Sequence, residues 1–220
     1  WGEWTYQAKL RVPDLAAFGN RFGDSVAIHE DTIVVGGYYS DDDDNRGSSI
    51  GSAHVFVRSG GEWTHQAKLL AHPFGWIGPH FDSFGQSVAI HEDTIVVGAE
   101  GDGDWSGSAH VFVRSGGKWY SASQVESESG LSKSGDLFGM SVAIYKDTIV
   151  VGAPGYDDNG GSANVFLRNG EEWTQQSRLL LVSDKAAGMS VTIYDDTIVV
   201  SANEDGVLYR GGSSAHVFVL

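Results

Sequence analysis

Residues 84–98 read FGQSVAIHEDTIVVG, and this stretch decides the fold. Two short runs rich in β-branched residues, SVAI and TIVV, flank the polar triplet His-Glu-Asp, a pattern that predicts a β-hairpin with a three-residue turn. The run Ile95–Val97 is apolar at every position rather than at alternate ones. Because successive side chains of a strand point to opposite faces, this run predicts a sheet that is covered on both sides.

The same stretch occurs four times in the chain. Its DTIVV core begins at Asp31, Asp93, Asp147 and Asp196, which are 62, 54 and 49 residues apart, so the copies differ mainly in loop length. A second shared segment follows each core and predicts a second hairpin, as in GSAHVFVRSGGEW at residues 51–63. Each repeat therefore supplies four strands. Repeated four-stranded units that cover one another are typical of a β-propeller.

We therefore expect an all-β chain that forms one β-propeller domain over residues 1–220, with four four-stranded blades. The predicted repeat cores lie near residues 22–69, 84–125, 138–180 and 188–220.

Two matching segments lie at opposite ends of the sequence. Residues 2–10 read GEWTYQAKL and match the outer strand GEWTHQAKL at 61–69, whereas the fourth copy reaches AHVFVL without an outer strand of its own. We expect residues 1–10 to complete the last blade within the same chain, since intramolecular pairing has a high effective concentration. The same offset also permits a head-to-tail polymer in which this segment completes a blade of the next molecule.

Charge and composition exclude several kinds of partner. Fourteen basic and 29 acidic residues give a net charge of −15, which repels nucleic acid and anionic lipid. There is no cysteine, and no apolar run reaches the roughly 20 residues that a membrane-spanning helix needs. Residue 1 is Trp, which indicates a removed leader or a fragment and favours secretion.

The Phe-Gly opening of the first three copies, at Phe22, Phe84 and Phe138, together with VVGAP at Val150–Pro154, resembles the FG-GAP repeat of integrin-like β-propellers. The resemblance covers nearly the whole chain. It implies a propeller that binds other proteins at the cell surface or outside the cell, and that is not an enzyme.

The resemblance also implies calcium sites in the loops that follow the second strands. Hard cations prefer several oxygen ligands, and acidic or amide side chains alternate in these loops. The closing acidic ligand that such a motif expects is replaced by Ser49, His110 and Val165. The alternative is that these side chains are solvated turn formers. The calcium candidates are Asp41, Asp43, Asn45, Asp102, Asp104, Asp157 and Asn159.

Aromatic residues supply the candidates for ligand binding. Four lie in the insertions that vary between repeats, where partner contacts are commonly made. These are Tyr38, Tyr39, Trp76 and Trp105. The tryptophans that recur in the outer strands, such as Trp63 and Trp119, pack the blade or, alternatively, stack on sugars as in a propeller lectin. Most histidines recur at equivalent positions and are interpreted as scaffold.

The sequence contains no nucleophile elbow, phosphate loop or set of paired carboxylates outside the repeat pattern. We therefore expect a non-enzymatic extracellular module for protein–protein adhesion or structural assembly, including a filament joined by strand complementation. A glycan-binding propeller is the alternative.

Overall fold

The computed structural model describes residues 2–12, 21–38, 50–71, 82–126, 134–181, 185–203 and 213–220. Within them the chain forms four antiparallel sheets, one for each repeat, which confirms the prediction of an all-β propeller-type fold. Each sheet is called a blade below. Two single-turn helices, α1 (Asp102–Trp105) and α2 (Tyr156–Asn159), lie between the second and third strands of blades 2 and 3.

Strands follow one another in simple meander order within every blade. Blade 1 contains β1 (Val26–His29), β2 (Thr32–Gly37), β3 (Ser52–Ser59) and β4 (Glu62–Leu69). Blade 2 contains β5 (Phe84–His91), β6 (Thr94–Ala99), β7 (Ser108–Ser115) and β8 (Lys118–Val125). Blade 3 contains β9 (Ser141–Tyr145), β10 (Thr148–Ala153), β11 (Ser162–Asn169) and β12 (Glu172–Leu179). Blade 4 contains β13 (Val191–Tyr194), β14 (Thr197–Asn203) and β15 (Ser213–Val219).

The first hairpin of each blade is tighter than the sequence predicted. In blade 2, His91 pairs directly with Thr94, so the turn holds two residues instead of three. Glu92 takes a positive φ of 51°, a conformation that closes short hairpins with the twist of the adjoining strands.

The blades stack in chain order, with the inner strands β1, β5, β9 and β13 in successive contact. Central strands are buried on both faces, as the apolar run predicted: Ile95, Val96 and Val97 are fully inaccessible. Each blade has a front face, defined as the one turned toward the preceding blade, and a back face turned toward the next. Burial of both faces of blades 2 and 3 provides the main stabilisation of the array.

In blades 1, 2 and 3, the glycine that follows the apolar run of the second strand permits close approach of the next blade. A Cβ added at Gly98 would lie 1.9 Å from the carbonyl oxygen of Gly139 on blade 3. The equivalent Gly36 and Gly152 meet the backbone of blades 2 and 4 in the same way. The predicted crowding between inner strands is therefore present, and its cause is contact between successive blades.

The expected completion of the last blade by residues 1–10 is not seen among the described residues and stays a prediction. Blade 4 has three strands among the described residues, and residues 2–12 form no strand. The segment contacts blade 1 instead, where Gln7 hydrogen-bonds to Trp63. Among the described residues, the front face of blade 1 and the back face of blade 4 expose Val26 and Val217, whose equivalents are covered at the internal junctions.

No helix in the described part of the chain is both long and apolar enough to cross a membrane. The single-domain division with the repeat boundaries given above stays a prediction.

Candidate interaction surfaces

Apolar contacts at the junction between blades 1 and 2 define how one blade packs on another. The back face of blade 1 contributes Val34 and Val55, while the front face of blade 2 contributes Val88 and Ile90. The other two junctions repeat this pattern with the equivalent residues. Every internal junction is therefore made of one front face and one back face.

Polar contacts fix the register of the same junctions. Trp119 of blade 2 donates a 2.9 Å hydrogen bond from its indole nitrogen to the side-chain oxygen of Gln66 on blade 1. Gln66 in turn donates to the carbonyl oxygen of Gly117 at 3.4 Å. Closer to the axis, the Ser25 hydroxyl donates to the carbonyl oxygen of Gly85 at 2.7 Å, and equivalent serines do so at the next two junctions. These contacts set the relative position of neighbouring blades.

The N-terminal segment repeats the outer part of this arrangement in front of blade 1. Trp63 donates from its indole nitrogen to the side-chain oxygen of Gln7 at 3.1 Å, and Gln7 donates to the carbonyl oxygen of Gly61 at 3.0 Å. Since residues 2–10 match residues 61–69, Gln7 is the equivalent of Gln66. The segment therefore lies where the outer strand of a blade preceding blade 1 would lie.

The front face of blade 1 exposes apolar side chains whose equivalents are buried or partly buried in the other blades. Val26 is 67% exposed and Ile28 is 64% exposed, whereas the equivalent Val88 and Ile90 are 9% and 8% exposed. Single exposed apolar residues are common on protein surfaces, but these two belong to a face built for packing.

The back face of blade 4 has the complementary exposure. Val217 is 63% exposed, whereas its equivalents on the three preceding blades are buried. The edge strand β15 pairs with β14 alone in the described residues, while β3, β7 and β11 pair on both sides. This end of the array thus presents an apolar face and an unpaired strand edge, a combination that favours pairing with another chain.

A row of aromatic rings crosses all four blades at the first hairpins. The His29 and His91 rings lie 4.8 Å apart, His91 and Tyr145 lie 5.0 Å apart, and Tyr145 and Tyr194 also lie 5.0 Å apart. Tyr194 ends the row with 74% of its surface exposed. The sequence interpretation of His29 and His91 as repeated scaffold residues is consistent with this stacking.

His54 lies at the centre of a buried polar cluster in blade 1. Its ring nitrogens lie 3.0 Å from the Ser52 hydroxyl oxygen and 3.1 Å from the facing ring nitrogen of His65. Burial lowers the pKa of His54 to about 4, with the nearby His65 and Lys68 contributing in the same direction. His54 is therefore neutral at physiological pH.

The calcium candidates are only partly described. Asp41, Asp43 and Asn45 lie outside the described residues, as does the side chain of Asn159. The Asp102 carboxylate accepts hydrogen bonds from Ser108 at 2.7 Å and from Gln124 at 3.3 Å, so it is tied to its own blade. Asp104 and Asp157 are exposed.

In the described part of the chain, no group of three acidic, histidine or cysteine side chains is placed to hold a metal ion. The calcium site stays a prediction.

The aromatic candidates for ligand binding are not brought together among the described residues. Tyr39 and Trp76 lie outside them. Tyr38 accepts a hydrogen bond from Arg21, whose guanidinium also lies 5.1 Å from the centre of its ring. Trp105, in α1, is 47% exposed. A binding role for these residues stays a prediction.

The outer-strand tryptophans are engaged by arginines of their own blades. Arg58 lies 5.3 Å from the ring centre of Trp63, and Arg114 lies at the same distance from Trp119. Cation–π contact covers an aromatic face that a sugar would need. This geometry favours the packing interpretation over the sugar-binding one for both residues.

Sequence reasoning did not identify the two end faces. The repeats did contain a signal for these faces, because Val26 and Val217 stand at positions whose equivalents in the other repeats face a neighbouring blade. Which copies would lack a neighbour depends on whether the array closes, and that cannot be read from the repeats.

Comparison with known proteins agrees with this fold. Stacked four-stranded repeats of this kind define a β-propeller-type protein. A family model described as "FG-GAP repeat" matches residues 4–56, 63–112 and 132–166, which together make up more than half of the chain. The chain belongs to the FG-GAP repeat family. Such repeats are typically non-catalytic interaction modules.

Among solved structures, the chain is similar to the crystal structure of the Saccharomyces cerevisiae Sqt1, with 14% sequence identity and a TM-score of 0.46. The match covers 84% of this chain and 43% of that one. No curated protein matches the sequence significantly.

Proposed function

We propose that this chain is a non-enzymatic extracellular β-propeller module whose role is structural assembly through the two ends of its blade array. The observation that carries the proposal is the exposure of Val26 and Ile28 at one end and of Val217 at the other, at positions that are buried or partly buried at every internal junction. Faces that pack well inside the chain can pack equally well on a matching face outside it.

Burial of apolar side chains at the two end faces supplies the favourable free energy of association. Covering an exposed Val or Ile side chain contributes about 1.5 kcal/mol or more. Against this stands the net charge of −15 on each copy, which opposes the approach of like molecules. We expect an association that is reversible and depends on protein concentration.

Binding of a different protein at the same faces is a less specific version of this proposal, since FG-GAP modules bind proteins. The glycan-binding alternative has less support, because the described outer-strand tryptophans Trp63 and Trp119 are occupied by arginine and glutamine contacts. Assembly through the ends is therefore the form that we propose to test.

Sedimentation velocity of the whole chain at several concentrations tests this function. Ile28→Lys places a charge on the front face of blade 1 without disturbing a buried site, and we expect it to weaken self-association at least tenfold. Tyr120→Lys makes the same change of charge at an exposed position of β8 and serves as the matched control. A wild-type chain that stays monomeric at 100-micromolar concentrations, roughly where weak associations are detected, would contradict the proposal.

A further inference from the structure

The contacts of residues 2–10 bear on the question of which segment supplies the fourth strand of blade 4. Gln7 bonds to Trp63 and Gly61 of blade 1 just as Gln66 bonds to Trp119 and Gly117 of blade 2. The segment is thus held as the outer strand of a blade that would precede blade 1. Within the described residues of the chain, no sheet occupies that place.

Blade 4, by contrast, lacks an outer strand in the described residues. Its edge strand β15 has an unpaired side, and that is the side on which β3, β7 and β11 pair with an outer strand. If the back face of blade 4 covers the front face of blade 1 in a second copy, the segment 2–10 of that copy meets the open edge. We propose that copies of this chain join head to tail, with residues 2–10 of one copy forming the fourth strand of blade 4 in the other.

This proposal rests on the proposed function and deepens it, because it names the partner and the strand register. In blade 1, Val57 lies opposite Thr64 and Arg58 lies opposite Trp63. The same register places Val219 opposite Thr5 of the second copy. It also places Leu220 opposite Trp4 of the second copy, and the Trp4 side chain is fully exposed in a single chain.

A polar contact follows from the same equivalence. Gln176 of blade 3 stands at the position of Gln66 and is exposed. Trp4 of the second copy stands at the position of Trp119, so its indole nitrogen would donate to the Gln176 side chain. The segment would then make a tryptophan–glutamine hydrogen bond on both sides, through Gln7 to blade 1 of its own copy and through Trp4 to blade 3 of the other copy.

One residue makes this junction weaker than the internal ones. At Gly36, Gly98 and Gly152 an added Cβ would lie about 2 Å from a carbonyl oxygen of the next blade, so only glycine fits there. Blade 4 has Ser201 at the equivalent position. Its Cβ would approach the carbonyl oxygen of Gly23 in the second copy, so the inner strands must stand slightly further apart. We infer that Ser201 limits the strength of assembly.

Closure within one chain is the competing arrangement. It would place blade 4 of the same molecule in front of blade 1, so that residues 2–10 keep their contacts with blade 1 and pair with β15 of their own chain, and it would cover Val26 and Val217 against each other. Both residues are more than 60% exposed. The second copy is therefore the occupant that agrees with the observed ends.

Cysteine cross-linking tests the register directly, because the chain has no cysteine of its own. Thr5→Cys and Val219→Cys are prepared as separate proteins, mixed in equal amounts and oxidised. Directly opposed antiparallel residues have Cα atoms about 4.5–5.5 Å apart, within the range that a disulfide spans. We expect a covalent heterodimer as the major product. Tyr6→Cys mixed with Val219→Cys is the control, because a shift of one residue turns the side chain to the other face.

Three outcomes separate this inference from the function on which it rests. Association of the wild-type chain without a disulfide between Thr5→Cys and Val219→Cys overturns the strand register and leaves the proposed function standing. A third protein carries both Thr5→Cys and Val219→Cys in one chain; a cross-linked monomer from it, without a heterodimer from the mixture, overturns the inference in favour of closure. Absence of any association overturns both.

A second measurement addresses Ser201. Ser201→Gly removes the Cβ that would meet the second copy, and we expect it to tighten self-association by about tenfold, equivalent to about 1.4 kcal/mol. Ser190→Gly, directly before β13, removes the Ser190 hydroxyl, which stands at the position of the bonding Ser25, and should weaken association. An unchanged or weaker association of Ser201→Gly would contradict the inference.

Discussion

Arg114 of blade 2 donates a 3.3 Å hydrogen bond to the hydroxyl of Thr32 on blade 1, across the first junction of the array. The same guanidinium bonds to Asp93 at 2.6 Å and lies over the ring of Trp119. Arg168 makes the equivalent contact with Thr94 at the second junction, also at 3.3 Å. One arginine at each of these junctions therefore ties the outer part of a blade to the central strand of the blade before it.

Replacing Arg114 with Lys tests the contribution of this tie. Lysine cannot reproduce the planar fork that reaches Asp93 and Thr32 together, so we expect a loss of about 1 kcal/mol in the free energy of unfolding. Arg58→Lys is the matched control, since Arg58 contacts Asp31 and Trp63 and no blade stands in front of it among the described residues. Urea denaturation of both variants gives the difference. Equal losses would show that the junction contact contributes nothing.

Acidification should destabilise the protein through His54. Its pKa is lowered to about 4 in the folded state, below the ordinary value of 6.5, so the unfolded chain binds more protons between those values. The stability due to neutral His54 is complete above pH 6.5 and is lost as the pH falls toward 4. The expected loss is on the order of 3 kcal/mol.

His54→Asn supplies the control for this pH dependence. Blade 3 already has an asparagine, Asn164, at the equivalent position, so the replacement fits the repeat. We expect the variant to lose most of the decline in thermal stability between pH 6.5 and 4. A variant whose stability declines as steeply as that of the wild type would exclude His54 as the cause.

Close packing of successive blades predicts a large effect at Gly98. Alanine there would bring its Cβ within 1.9 Å of the Gly139 carbonyl oxygen, which belongs to backbone that cannot rotate away. We expect Gly98→Ala to lower the melting temperature by more than about 5 °C, which corresponds to about 2 kcal/mol or more for a chain of this size. Ser201→Ala changes the equivalent position of blade 4, removes the 2.9 Å hydrogen bond that the Ser201 hydroxyl oxygen accepts from the Ser190 backbone nitrogen, adds no Cβ, and should lower the melting temperature less than Gly98→Ala does. Similar melting temperatures for the two variants would contradict the close approach.

Salt should strengthen the association of copies. Each copy has a net charge of −15, and raising the ionic strength from about 0.05 to about 0.5 M shortens the distance over which these charges repel, from about 14 Å to about 4 Å. The dissociation constant measured by sedimentation should therefore fall as salt rises. A dissociation constant that rises with salt would indicate that ion pairs, rather than apolar faces, hold the copies together.

The sequence predicted the blades well because their determinants are local and repeated. Alternation within SVAI, the apolar run at Ile95–Val97 and the four copies define strands, hairpins and coverage on both faces. Which blade faces are left exposed among the described residues could not be predicted in the same way. Whether residues 2–10 reach β15 depends on the angle between successive blades, which arises from packing and not from any single residue.

The same distinction applies to the candidate surfaces. Val26 and Val88 both begin the sequence VAIHEDTIVVG, yet one is exposed and the other is buried, because in the described part of the chain a blade covers the front of Val88 and none covers Val26. Ser201 was visible as a departure from glycine, but its meaning depends on the distance to the next blade. The blade fold does not determine whether the loops that carry the calcium candidates bind a metal ion.

Mixing two end-blocked variants tests head-to-tail assembly most directly. Ile28→Lys blocks the front face of blade 1, and Val217→Lys blocks the back face of blade 4; both positions are exposed, so both variants should fold. Sedimentation velocity is predicted to show monomers for each variant alone and heterodimers for the equimolar mixture, since one intact front face and one intact back face remain. Dimers of either variant alone, or a mixture that stays monomeric while the wild-type chain associates, would contradict the account.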